Sequence, residues 1–253
     1  MDAFKLDGRI ALVTGSSAGI GEALARGLAQ AGAEVVINGR RREPVDKVVQ
    51  SLLEAGLKAH AAPFDVTDPN AAAAAVEDIE THVGPIDILV NNAGIQRRES
   101  LEAFDEATWR ELMSTNLDSV FYVSKPVANR MIPRQRGSII NICSVQSELG
   151  RPSIAPYAAS MGGLKMLTKG MAIDWGQHGI RVNGLGPGYF ATELNAALIA
   201  DEKFSSWLCD RTPLGRWGNV EELVGAAVFL ASDAASFVTG HVLYVDGGVT
   251  ARL

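Results

Sequence analysis

Short apolar runs recur along the whole chain, at residues 10–14, 34–38, 58–63, 86–91, 138–142, 181–185 and 242–245, and most are continuous Val/Ile/Leu stretches. A strand with one wet face alternates apolar and polar residues. A continuous run is buried on both faces, which calls for helices above and below a parallel sheet. Helix-length segments fall between the runs, at residues 20–31, 43–55, 69–83, 108–130, 156–177 and 221–231. Strand followed by helix throughout predicts repeated βαβ units, hence an α/β fold with a doubly wound, seven-stranded parallel sheet and helices on both faces.

No linker, repeat or charged tail divides the sequence, so one domain is expected over residues 1–253. The alanine run at residues 71–75 follows Pro69, which starts a helix, and consists of strong helix formers. The rhythm loosens at residues 188–218, after the sixth run. In an open α/β sheet, ligands sit beyond the carboxyl ends of the strands, so this excursion reads as a substrate lid or as a surface loop with a helical insert. A net charge of -6 argues against a nucleic-acid partner. The absence of a continuous apolar stretch of about 20 residues argues against a membrane span, and residues 1–6 carry no signal-peptide pattern. Cys143 and Cys209 lack metal-ligand spacing and read as free buried thiols, which fits a cytoplasmic location and no metal.

The first run leads into Thr14-Gly15-Ser16-Ser17-Ala18-Gly19-Ile20-Gly21 and then a helix. Glycines allow a tight turn and close approach to a diphosphate, and the helix N-terminus offers unpaired N–H groups to its charge. In that position the loop predicts a Rossmann-type dinucleotide site. The second run ends at Asn38-Gly39-Arg40-Arg41-Arg42. An acidic residue there would hold the ribose hydroxyls of NAD. Gly39 instead leaves space and Arg40 supplies donors suited to a 2′-phosphate, so NADP(H) is preferred, with NAD(H) possible.

Taken in order, Gly15, Gly19 and Gly21, Asp65-Val66, Asn91-Asn92-Ala93-Gly94, Asn116, Ser144, Tyr157, Pro187-Gly188 and Asp246-Gly247-Gly248 resemble the short-chain dehydrogenases/reductases over essentially the whole chain. The resemblance implies that Asp65 and Val66 flank the adenine. It puts Asn91, Asn92, Ala93 and Gly94 along the cofactor trench, Pro187 and Thr192 near the nicotinamide carboxamide, and Gly188 among the cofactor-binding residues. Ala18 stands where many NADP-using members carry a second basic residue. The resemblance further implies a homotetramer, to which Phe121, Leu164 and Leu167 would contribute surplus apolar surface. Residues 95–98, 141–148, 188–193, 212–213, 215–218 and 243–246 are similar to the branch of the family that interconverts gluconate and its 5-keto form.

The implied reaction is hydride transfer between a nicotinamide and a carbinol carbon. Tyr157 would be the proton donor or acceptor, Ser144 would hold the reacting oxygen, and Asn116 would hold a water in a proton relay. A free tyrosine has a pKa of about 10, too high for a base at neutral pH. A neighbouring ammonium lowers it, and a residue four positions on lies one turn away on the same helix face. The family places lysine there, and that lysine also binds the nicotinamide ribose; this chain has Met161, which has no charge and no donor. An inactivating substitution, a natural variant and a non-catalytic cofactor-binding protein all account for Met161.

For a sugar-acid substrate, Arg97 is a candidate carboxylate clamp, or else a surface ion pair. Gln146, Glu148 and Arg151 are candidates for the hydroxyls, and Tyr189 also lies where substrate is expected. Reduction of another polyol or ketone, and NADP sensing without turnover, remain alternatives.

Overall fold

Each apolar run forms a strand, because side chains of both parities along it find a dry surface. Ala11 and Val13 join a core with Leu24, Leu28, Val35, Ile37, Val90 and Leu230 on one face of the sheet. Ile10 and Leu12 join Val36, Leu89, Val120, Ile139 and Val182 on the other. Each Leu fully withdrawn from water in these layers contributes about 1.5–3 kcal/mol.

The computed structural model describes residues 2–252; residues 1 and 253 of the expected domain lie outside the described residues. The strands are β1 Ile10–Val13, β2 Glu34–Gly39, β3 Ala59–Pro63, β4 Ile86–Asn91, β5 Gly137–Ile142, β6 Ile180–Pro187 and β7 Val242–Val245. They form one 7-stranded sheet in the order β3-β2-β1-β4-β5-β6-β7. All six pairings are parallel. The direction of winding reverses between β1 and β4, which opens a crevice at their carboxyl ends, where open α/β sheets bind ligands.

Helices α1 Gly19–Gln30 and α2 Arg42–Glu54 cover one face, and α3 Pro69–His82 the other. Helix α3 starts where predicted: the Asp68 side chain accepts from the N–H groups of Asn70 and Ala71, with Pro69 in the first turn. The segment expected as one helix over 108–130 is interrupted. It runs as α4 Glu106–Met113, a π-helical turn Ser114–Asp118, and α5 Ser119–Arg134. A π turn inserts an extra residue and re-aims the side chains around it, and it commonly marks a functional site; here it carries Asn116. Helix α6, Ala155–Gly176, lies on the same face of the sheet as α5.

The excursion after β6 contains α7 Ala196–Ala200 and α8 Glu202–Arg211. Its base is closed by a bridge between Phe190 and Gly218. The last helix, α9 Val224–Ala231, follows a 3-10 turn over Val220–Leu223 and returns to the first face. No helix among the described residues is long and apolar enough to cross a membrane.

Two expectations are corrected by packing. Leu164 is 1% exposed and belongs to the core, whereas Phe121 is 45% exposed, so Phe121 alone of these two presents apolar surface. Cys143 is buried, and that burial pushes its thiol up to about 12. Cys209 is only half-buried, because α8 lies on the outer excursion rather than against the sheet.

Candidate active site

One cavity of about 530 Å³ runs along the carboxyl ends of the central strands. That volume suits a small-molecule site. Its cofactor-like end is built by the turn between β1 and α1. Asn38, at the end of β2, anchors that turn: its Oδ1 accepts from the Gly15 N–H at 3.1 Å, and its Nδ2 donates to the carbonyls of Ala62 and Phe64, each at 3.1 Å. Asn92 ties the turn to β4, donating from Nδ2 to the carbonyls of Thr14 and Gly15, each at 3.0 Å. The Thr14 hydroxyl accepts from the N–H groups of Asn92 and Ala93 at 2.9 and 3.1 Å. These hydrogen bonds hold Gly15, Ser17, Gly19, Ile20, Gly21, Ala93 and Gly94 around the cavity.

Whether a dinucleotide fits is decided by what the glycines leave open. At Gly19, φ is +59°, and a Cβ added there would meet nothing within 4 Å, so the backbone borders open space. At Gly21 a Cβ would lie 2.4 Å from Asn92 Nδ2, so only glycine allows the close approach of the two turns. No side chain caps the start of α1, which leaves its first N–H groups available to an anion. These residues fit a diphosphate.

Arg40 borders the cavity at the end of β2 and is exposed. Asp65 and Val66 lie across from it, after β3. Burial opposes the charge on Asp65. Hydrogen bonds from the Thr67 N–H at 2.9 Å and hydroxyl at 2.7 Å, together with the Arg40 charge, outweigh it and hold the carboxyl below its usual range.

The chemical end is built by the turn after β5 and by α6. Ser144 is the N-cap of the short helix Val145–Ser147, and its hydroxyl accepts from the Gln146 N–H at 3.1 Å. Tyr157, in the first turns of α6, lines the same cavity, near enough to Ser144 for that hydroxyl to act on its phenol. Burial pushes the Tyr157 phenol above its ordinary value; the nearby Ser144 hydroxyl opposes this and does not overcome it. Met161, one turn on, also lines the cavity; it is 4% exposed and sits in the apolar cluster with Leu164, Cys143 and Val120. Lys165 is turned away and pairs with Glu148.

The side chain of Asn116 is spent on the chain itself. Its Oδ1 accepts from the Ile95 N–H at 2.8 Å, and its Nδ2 donates to the Ile95 carbonyl at 2.9 Å and to the Ser160 hydroxyl at 3.3 Å. It thus pins the loop after β4 to α6. Asn91 is also committed internally, donating to Ser124 and Asn141 at 2.9 Å each.

Pro187, Gly188, Tyr189 and Thr192 line the far wall. Two substrate candidates lie outside the cavity lining. Arg97 is exposed and donates to both carboxylate oxygens of Glu111 at 3.2 Å, the ion pair that stood as the alternative to a clamp. Glu148 pairs with Lys165 and accepts from the Tyr244 hydroxyl at 2.8 Å, so its carboxylate is spoken for. Besides Arg40 at the cofactor end, the arginines that do line the cavity are Arg98 and Arg151. Burial, and then the neighbouring Arg151 cation, hold Arg98 below its ordinary value. Two cations beside one cavity favour an anionic ligand between them. Arg98 escaped the sequence reading because nothing along a loop distinguishes it from Arg97.

Known proteins share the family and the fold of this chain. The family model described as Enoyl-(Acyl carrier protein) reductase matches residues 15–250. The chain is 62% identical to a gluconate 5-dehydrogenase of Gluconobacter oxydans (strain 621H), over 100% of this chain and 98% of that protein. It is 52% identical to a 5-keto-D-gluconate 5-reductase of Escherichia coli (strain K12), over 98% of each. Among solved structures, it superposes with a TM-score of 0.98 and 58% identity on a gluconate 5-dehydrogenase from Burkholderia cenocepacia J2315 in complex with NADP and tartrate, covering 100% of this chain and 99% of that one.

Proposed function

The chain belongs to the short-chain dehydrogenase/reductase family, and from that premise we propose that it is an NADP(H)-dependent oxidoreductase interconverting D-gluconate and 5-keto-D-gluconate. The observation that carries this reading is a single cavity with three chemistries along it. A glycine-lined, uncapped helix start lies at one end, the Ser144–Tyr157 pair in the middle, and Arg98 and Arg151 beside it. The similar Burkholderia protein binds NADP and tartrate, a hydroxy acid, which supports the same pairing of ligands here.

Arg40 would bind the 2′-phosphate, and Asp65 and Val66 would flank the adenine. Gly15, Ser17, Gly19, Ile20, Gly21, Asn92, Ala93, Gly94, Pro187, Gly188 and Thr192 would line the remainder of the cofactor. When bound, the nicotinamide supplies or accepts the hydride. Ser144 holds the reacting oxygen by a hydrogen bond. Tyr157 gives that oxygen its proton in reduction and removes it in oxidation. With its side chain engaged by Ile95, Asn116 serves the site by fixing the loop after β4; a relay water would have to use its backbone. Arg98 and Arg151 bind the carboxylate, and Gln146 and Tyr189 face the hydroxyls.

Met161 makes the chain a poor oxidant of alcohols, because the raised phenol of Tyr157 has no ammonium to stabilise its phenolate. Reduction suffers less, since neutral tyrosine is the donor. A homotetramer is supported by exposed Trp109, Phe121, Met166 and Ile173 on α4 to α6, and a cytoplasmic location by the two free cysteines.

The test is reduction of 5-keto-D-gluconate by the purified chain and its Met161→Lys variant, with NADPH and NADH in parallel. Turnover of neutral ketones but not of 5-keto-gluconate by both proteins would overturn the substrate. Cofactor binding without hydride transfer in either would overturn the enzyme reading in favour of a sensor.

A further inference from the structure

Among the described residues, the buried side-chain polar atoms without a hydrogen-bond partner are Gln146 Oε1 and Arg151 Nε, and both residues line the cavity. Buried polar atoms are rarely left unpaired, so such atoms mark where a ligand supplies the partner. The two are opposite in kind: an amide oxygen accepts and a guanidinium Nε–H donates.

One ring stands behind both. The other end of the Gln146 amide donates from Nε2 to the Tyr189 hydroxyl at 3.4 Å. The Tyr189 ring lies 5.9 Å, centre to centre, from the Phe204 ring. The Arg151 guanidinium carbon lies 5.4 Å from the centre of that same Phe204 ring. This is cation–π distance, and a guanidinium over an aromatic face is fixed in direction as well as in place. Phe204 belongs to α8, within the excursion of residues 188–218, and it does not line the cavity itself.

We propose that Phe204 is a positioning residue for substrate selection. Its ring aims Arg151 Nε at the substrate carboxylate, while the Tyr189 hydroxyl holds the Gln146 amide with Oε1 toward a substrate hydroxyl. Docking of the excursion and recognition of a hydroxy acid are then one event. The inference rests on the sugar-acid reading above and adds to it the residue that sets the selectivity.

Calorimetric titration of the full chain saturated with NADPH, which cannot react with an alcohol ligand, tests this without hydride transfer, so the proton-transfer step at Tyr157 does not intervene. The ligands are D-gluconate and D-glucitol, which share a carbon skeleton and differ in the carboxylate. Phe204→Ala, and Phe204→Leu, which keeps apolar volume and removes the π face, are each expected to weaken gluconate about fivefold and glucitol less than about twofold. Phe204→Tyr should restore gluconate to within about twofold, and in an Arg151→Ala background Phe204→Ala should change gluconate affinity by less than about twofold. Equal weakening of both ligands, full gluconate affinity in Phe204→Leu, or additive losses in the double variant would overturn the proposal while leaving the sugar-acid reading in place. Failure of the unsubstituted chain to bind gluconate would overturn both.

Discussion

Met161 follows Tyr157 by one turn of α6, and both side chains border the cavity in which Ser144 meets the Tyr157 phenol. The thioether sits 4% exposed in an apolar cluster, so the phenol has a dry, uncharged neighbour where the family has an ammonium. Much of the expected behaviour of this chain follows from that contact.

Met161→Lys should raise kcat/KM for gluconate oxidation by about 100-fold or more, since each pKa unit recovered is worth roughly tenfold in phenolate. Reduction of 5-keto-gluconate should gain less. Steady-state assays in both directions check this, and a gain in oxidation below about tenfold would defeat the account.

The pH profile carries a sign. Burial penalises the phenolate, so the Tyr157 pKa lies above its ordinary value, and the base needed for oxidation is scarce throughout neutral and mildly alkaline solution. Oxidation by the unsubstituted chain should therefore climb about tenfold per pH unit up to pH about 10. Met161→Lys should level off at lower pH, because the ammonium favours the phenolate. Identical profiles for the two proteins would contradict this.

Arg40→Ala should weaken NADP(H) by about 10- to 100-fold, the worth of charge-assisted hydrogen bonds to a phosphate, and leave NAD(H) within about twofold. Fluorescence titration of both reduced cofactors measures the ratio.

Arg98→Ala and Arg97→Ala separate the two neighbouring arginines. In the Met161→Lys background, Arg98→Ala should raise KM for 5-keto-gluconate by about tenfold or more, and Arg97→Ala, which removes only an exposed ion pair, by less than about twofold. Equal effects would remove Arg98 from the carboxylate pole.

Asn116→Ala should cost about 2–3 kcal/mol in denaturant unfolding, because it strips the partners from the N–H and carbonyl of Ile95. NADP(H) affinity should fall with it, as the loop after β4 loosens.

The strand positions, the glycine turn and the start of α3 at Pro69 were legible because each depends on residues close together in the chain. The π turn at Ser114–Asp118 was not, since the apolar pattern runs on through α4 and α5. It carries Asn116, whose clasp on Ile95 is a contact across 21 positions that no local pattern announces. Glu148 followed the same logic: its place in the sequence, soon after Ser144, suggested the substrate, and Lys165 and Tyr244 from other elements claimed its carboxylate.

The sequence by itself determined the order of βαβ units, the turn that fits a diphosphate, and the one-turn spacing of Tyr157 and Met161, because periodicity and helical spacing are local properties. Only the tertiary structure decided which arginine faces the cavity. Arg97 and Arg98 adjoin on a loop without a period. Arg97 is drawn to Glu111 at 14 positions, whereas Arg98 meets Gln96 at two positions and Asn195 at 97.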